Sequence, residues 1–173
     1  QQLYFDNAQF RIAGVPVAYF PHLRLPDPTL RRARGFLAPR LSASSALGVG
    51  VSLPYFIPLG PSRDLTVTPS LYTGEAAALA LRFRAAFANG GVEIGGQIAR
   101  DRLVADRARG YAYLRALFHL RDDFRLTADV LAPGDRRYLD QYGITSDSRI
   151  RSHITLDRYR RDQALRARIV HFR

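Results

Sequence analysis

Side-chain character alternates with a period of two along most of this chain, and that one feature restricts what the chain can fold into. In 79–87 one parity reads Leu79, Leu81, Phe83, Ala85, Phe87 and the other Ala80, Arg82, Arg84, Ala86. A β-strand turns successive side chains to opposite faces, whereas a helix would scatter this pattern around its circumference. The split recurs as Val92, Ile94, Gly96, Ile98 against Glu93, Gly95, Gln97, and as Ala112, Leu114, Ala116, Phe118, Leu120 against Tyr111, Tyr113, Arg115, Leu117, His119. It recurs again as Phe124, Leu126, Ala128, Val130 against Arg125, Thr127, Asp129, and as Ile150, Ser152, Ile154, Leu156 against Arg149, Arg151, His153, Thr155, Asp157. Upstream lie Leu47, Val49, Val51, Leu53 and then Leu65, Val67, Leu71. Turn residues separate the runs: Thr73-Gly74-Glu75, Asn89-Gly90-Gly91 and Arg121-Asp122-Asp123 are short, while 100–110 and 133–148 are long. Asn-Gly is a strong hairpin signal. The pattern predicts an all-β fold, an antiparallel up-and-down meander of about eight strands over 44–173 with no helix.

Soluble sandwiches alternate too, but their strands are shorter, about five or six residues, and their wet face mixes many polar types. Here each run is about ten residues, the length a tilted strand needs to cross a bilayer. Tyr55, Phe56, Tyr72, Phe87, Tyr111, Tyr113, Phe118 and Phe124 gather near strand ends, as the aromatic girdles of an outer-membrane barrel do. The long uncharged stretch 41–62 is interrupted by Pro54, Pro58 and Pro61, so it is no helical span. Absence of cysteine excludes disulfides, thiolate metal sites and a cysteine nucleophile from these residues, and the pattern calls for no metal or cofactor. Lys+Arg is 26 against Asp+Glu 15, a net charge of +11, and every one of those cations is arginine. The arginine fork suits phosphate and carboxylate, which suggests a polyanionic partner; a GC-rich genome would produce the same bias.

The segment 1–39 reads differently. Two strands flank Ala13-Gly14, and a Pro- and Arg-rich connector with Pro21, Pro26 and Pro28 follows. At this connector the chain resembles a known family. The carrying residues are Gly14-Val15-Pro16-Val17 with Tyr19-Phe20-Pro21, Arg34-Gly35-Phe36-Leu37-Ala38-Pro39, Leu53-Pro54-Tyr55-Phe56, and Asp64-Leu65-Thr66-Val67-Thr68-Pro69 with Tyr72. To these is added Asp135-Arg136-Arg137-Tyr138-Leu139-Asp140 before Tyr142-Gly143. Together they resemble the lipopolysaccharide-assembly family LptD. The resemblance implies a periplasmic β-jellyroll feeding a very large outer-membrane barrel: 1–21 the last jellyroll strands, 22–43 a connector, and 44–173 the first barrel strands. On this reading the chain is a fragment, since 164–173 still alternates where it stops. The resemblance implies lipopolysaccharide and membrane lipids as the molecules handled, a plug lipoprotein, LptE, and an LptA-type periplasmic bridge through the jellyroll. It further implies that Pro54 and Pro69 lie inside the first two barrel strands and weaken pairing at a lateral gate, where a strand proline cannot donate to the ladder.

The arginines Arg82, Arg84, Arg115, Arg125, Arg149 and Arg151 share the polar face. They could meet anions passing through a lumen, or pair across strands with Glu93, Asp129 and Asp157. Catalysis has poor material: His119, His153, Ser152, Asp129 and Asp157 are the candidates, and Ser152 and His153 fall on opposite faces. A nucleic-acid binder would gather its arginines on one stripe, and here they spread through every strand and loop. A general porin or passive channel is the alternative that strand chemistry alone would fit. Sidedness conflicts: short turns put Asn89-Gly91 in the periplasm, whereas a first strand beginning after Ser44 and entering from the periplasm puts that turn outside.

Overall fold

The computed structural model describes residues 2–12, 15–26, 33–102, 107–145 and 151–172. Two sheets are present among them. The first is a hairpin of β1 (Gln2–Ile12) and β2 (Val15–Pro26), antiparallel with Ala8 opposite Phe20. The expected connector is therefore shorter at its start, because β2 runs on through Pro21 to Pro26. Each strand of a two-stranded sheet has one unpaired edge, which accommodates proline without loss of a ladder bond. Ala13-Gly14 and Pro28 lie outside the described residues.

The second sheet is antiparallel throughout and follows the chain. Its strands are β3 (Gly35–Phe36), β4 (Arg40–Ser44), β5 (Gly48–Ser52), β6 (Tyr55–Pro58), β7 (Arg63–Tyr72), β8 (Ala76–Phe87), β9 (Gly90–Arg100), β10 (Arg109–His119), β11 (Phe124–Pro133), β12 (Arg151–Arg160) and β13 (Gln163–Phe172). From β7 onward the strands hold 10 to 12 residues, about 33 to 40 Å of extended chain. The meander inferred from alternation is the observed topology.

Two features depart from the sequence reading. Pairing begins before Ser44, because β3 and β4 are two halves of one further strand: Phe36 lies opposite Tyr55, and Arg40 opposite Ser52. Alternation is faint there because Leu37, Ala38 and Pro39 separate the halves. The second departure is a helix, α1 (Arg136–Gln141), inside the long connection after β11. It is too short and too polar to show a helical period, and its only local signal is Asp135, whose side chain caps the first turn by accepting from the Arg137 N–H (3.0 Å). No helix among the described residues is long and apolar enough to cross a membrane, which says nothing about a barrel crossing with strands.

The two faces differ as the alternation predicts. Leu71, Leu81, Ile98 and Ile169 are 68%, 47%, 63% and 72% exposed on one face, with Val49, Val51, Leu79, Ile94 and Ile154 beside them. A continuous apolar face of this extent is not one that a monomeric water-soluble protein leaves bare. The other face carries Asp64, Thr66, Ser70, Gln97, Thr155 and Asp157, all buried among polar neighbours. The aromatics divide between the faces. Phe87 and Phe118, 5.7 Å apart, and Phe124 lie at one rim of the apolar face. Tyr72, Tyr111 and Tyr113, expected in the same girdle, have the polar parity, and Phe56 pairs with Thr66 on that side. Tyr72 and Tyr111 pack there against the cluster that includes Tyr138 and Leu139 of α1.

Candidate functional site

Three arrangements occupy the large sheet. The first is a row of prolines across its first three strands. Leu53 N–H donates to the Pro69 carbonyl (3.1 Å), so residues 53 and 69 form a hydrogen-bonded pair of the ladder. Such a pair exchanges two bonds, and Pro69 has no N–H to return the second. In the same way Leu37 N–H donates to the Pro54 carbonyl (2.8 Å), and Pro54 cannot reciprocate. Pro54 is buried in the gap between β5 and β6, yet register is the same on both sides, with Ser52 opposite Ser70 and Tyr55 opposite Val67. Pro39 lies at this level too. Three residues, 37 to 39, separate Phe36 from Arg40 where only Leu53 and Pro54 separate their partners, which is a one-residue bulge. The strands holding Pro54 and Pro69 are thus the second and third of the sheet; the first holds Pro39, which the sequence reading passed over because it counted no strand there.

The second arrangement is a belt of alternating charge on the polar face. Direct cross-strand partners run Asp64, Arg84, Glu93, Arg115, Asp129, His153 through β7 to β12. Asp64, 2% exposed, accepts two bonds from Arg84, Nε to Oδ1 at 2.9 Å and Nη2 to Oδ2 at 3.1 Å. Arg115 lies 3.9 Å from both Glu93 and Asp129, and the Tyr113 hydroxyl donates to Glu93 (2.9 Å). Nearby, Asp157 accepts from Arg166 (2.7 Å) and stands 3.5 Å from Arg125. The exposed pairs among them, such as Arg115 with Asp129, contribute little singly, about 0.2–1 kcal/mol. As a row they fix register, since slipping one strand by two residues breaks every contact on both its sides. Of the six arginines singled out from sequence, Arg84, Arg115 and Arg125 are committed to acids, Arg82 and Arg151 carry no ion pair among the described residues, and Arg149 lies outside those residues.

The third arrangement is the folded loop after β11. Residues 134–145 turn back over the polar face and bring α1 onto Ala78 and Ala99. Tyr138 is 0% exposed, donates its hydroxyl to Gln97 Oε1 (2.9 Å), and stacks on Tyr142 at 4.3 Å between centroids. Tyr142 donates to Asp101 (3.0 Å) and meets Tyr72 edge-on. The ring of Tyr72 in turn covers Gly50, where a Cβ would stand 2.5 Å from it. Arg109 is the node. Its Nη1 donates to Asp135 (3.0 Å), its Nη2 to Asp101 (2.9 Å) and Gln141 (2.6 Å), and its guanidinium lies 5.4 Å from the Tyr138 ring. The Ser44 hydroxyl donates to the Gln141 carbonyl (3.1 Å), tying the loop to the first strand. Burial pushes the Tyr138 and Tyr142 phenols well above their ordinary range, and for Tyr142 the bond to Asp101 adds to it. The stretch around Tyr138 pointed to this loop, but nothing in the sequence pointed to Arg109, whose partners come from this loop and from the connection after β9.

The catalytic candidates do not assemble. Ser152 Oγ bonds to the Leu131 backbone, accepting from its N–H (3.0 Å) and donating to its carbonyl (3.2 Å), while His153 projects from the opposite face opposite Asp129. No group of three or more metal-ligating side chains occurs among the described residues.

No family profile matches the chain. Curated proteins do. A protein of Haemophilus ducreyi named LPS-assembly protein LptD is 32% identical over 164 residues, covering 88% of this chain and 21% of the relative. The LPS-assembly protein LptD of Mannheimia succiniciproducens is 35% identical over 155 residues, covering 82% of this chain and 19% of the relative. The chain belongs to the LptD family. A further member, from Psychrobacter arcticus, is 42% identical over 78 residues, 45% of this chain and 8% of that protein. The chain thus spans about a fifth of the length of the first two relatives.

Proposed function

We propose that this chain is the part of an outer-membrane LptD barrel that contains its first strands, and that the whole protein carries lipopolysaccharide into the outer leaflet. The observation that carries this reading is the pairing of a bare apolar face with an ion-paired polar face on strands long enough to cross a bilayer. On it, the apolar face meets lipid, the charge belt lines a wet lumen, and β1 with β2 ends a periplasmic domain. A plug lipoprotein of the LptE kind would fill that lumen, and an LptA-type bridge would join upstream. Family membership speaks against a general porin, which the strand chemistry alone had left open.

Counting the additional first strand supports the opposite sidedness for the later turns. Entering from the periplasm at Gly35, the chain turns outside at 45–47 and 73–75, and inside at 59–62, 88–89 and 121–123. The long connections after β9 and β11 are then extracellular and 88–89 and 121–123 periplasmic, as their lengths favour, while 45–47 and 73–75 are short turns on the outer side.

In this reading the proline row is the gate. Pro54 leaves one bond unmade between the first and second strands, and Pro69 one between the second and third, so the edge of the sheet yields where a lipid leaves sideways. The test is to replace Pro54 and Pro69 by alanine in the full-length protein and follow lipopolysaccharide arrival at the cell surface. Delivery should slow while the folded barrel remains abundant; unaltered delivery would remove both residues from the mechanism.

A further inference from the structure

The belt and the folded loop enclose a concavity of about 560 Å³ on the polar face, within the size range of small-molecule sites. Arg82, Arg115 and Arg151 line it together with Tyr111, Tyr113 and, from the loop, Thr145. The two tyrosine rings lie 6.2 Å apart and nearly parallel, at 20°. Glu93 and Asp129 also line it, but both draw on Arg115.

Arg82 is placed unlike its neighbour Arg84. Arg84 faces Asp64 on one side and Glu93 on the other. Arg82 faces Thr66 and Gly95, neither of which can balance a charge. Gly95 is required there, because a Cβ would stand 2.7 Å from the Tyr113 ring. The Arg82 Nε is buried with no hydrogen-bond partner, and so is Thr66 Oγ1 directly across the strand. A buried donor beside a buried hydroxyl, both unanswered, marks a place built for something polar. Arg151 adds a second cation without an ion pair among the described residues. Two arginines lining one concavity together with two tyrosine rings suit an oxyanion carried on a ring.

We propose that this concavity is a seat for a phosphate or carboxylate group borne on a saccharide, held by Arg82 and Arg151 with Arg115 shared between the seat and the belt. The proposal rests on the barrel reading, because only in a barrel does this face line a route for sugar chains. The sugar phosphate would meet the terminal Nη groups of Arg82, since Nε is closed off from solvent.

The experiment is a calorimetric titration of the purified full-length protein with glucosamine 6-phosphate, with inorganic phosphate and uncharged N-acetylglucosamine as further arms. Glucosamine 6-phosphate should bind saturably, inorganic phosphate more weakly, and N-acetylglucosamine least. Arg82→Gln with Arg151→Gln should weaken phosphosugar binding by about tenfold or more. Arg168→Gln removes one positive charge from the same face, opposite Thr155, and should leave binding unchanged, whereas Arg82→Gln alone should weaken it. Absence of saturable binding by the unaltered protein overturns the seat and means that water satisfies Arg82. Equal weakening by Arg168→Gln also overturns it, in favour of a diffuse field. Surface arrival of lipopolysaccharide, measured on the same variants, reports separately on transport: lost binding with intact delivery keeps the seat and takes it off the route, and no binding with intact delivery sinks the seat alone.

Discussion

The first three strands and the central strands belong to one sheet but are held by different means. Between β3 and β7 the ladder is broken twice and lacks two donors at proline, and the charge belt stops short: the partner of Asp64 toward the edge is Pro58. From β7 to β11 the register runs unbroken through ten or so pairs per strand, with opposite charges facing each other across the polar side. Continuity of hydrogen bonding and of charge fall together and end together. A sheet can therefore be firm at its centre and loose at its edge with no change in strand direction.

The folded loop touches both regions, through Ser44 on one side and Arg109 on the other, so the strongest way to break the contrast is to release it. Tyr138→Ala removes a fully buried ring, a change of about 3–5 kcal/mol, and should raise amide exchange over 135–144 and the 45–47 turn by roughly two to three orders of magnitude. Exchange confined to the loop would show that it does not brace the edge. Next in size is Glu93→Arg, which sets three arginines in a row across β8, β9 and β10. Two cross-strand pairs turn from attractive to repulsive, a swing of about 1–2 kcal/mol each and so about 2–4 kcal/mol together, and the yield of heat-modifiable folded barrel should fall several-fold. A full yield would mean that the belt does not set register. Pro69→Val should act oppositely, restoring one ladder bond of about 1 kcal/mol and slowing exchange in β5 and β6; faster exchange there would contradict the assignment of the missing donor.

The smallest effect is alkaline. Tyr138 and Tyr142 titrate above the ordinary 10.0 in the folded loop, so the folded state holds these protons more tightly than the unfolded one. Their contribution is fully present below pH 10 and is lost as the pH rises toward the folded values. Absorbance of tyrosinate should show these two ionising last, and Tyr142→Phe should remove one of the late steps.

Strand existence, faces and the meander were legible in sequence because each depends on parity within a few residues, as in 79–87 and 112–120. The first strand was not, because the bulge at 37–39 interrupts the parity that would have announced it, and one uncounted strand was enough to reverse the reading of sidedness. Pro54 and Pro69 stood out as prolines in strand-like runs; which neighbour loses a bond at each was visible only from pairing. The six arginines were legible as one set, and only register separated Arg84, with acids on both sides, from Arg82, beside a glycine and a threonine.

By itself the sequence determined that this chain makes long amphipathic strands with one apolar and one arginine-bearing side, since period-two alternation has one compact solution. Tertiary structure alone decided which charges meet, where the prolines line up and what α1 covers. Those contacts join residues 20, 41 and as many as 97 positions apart, and nothing in a local pattern reports the register that brings them together.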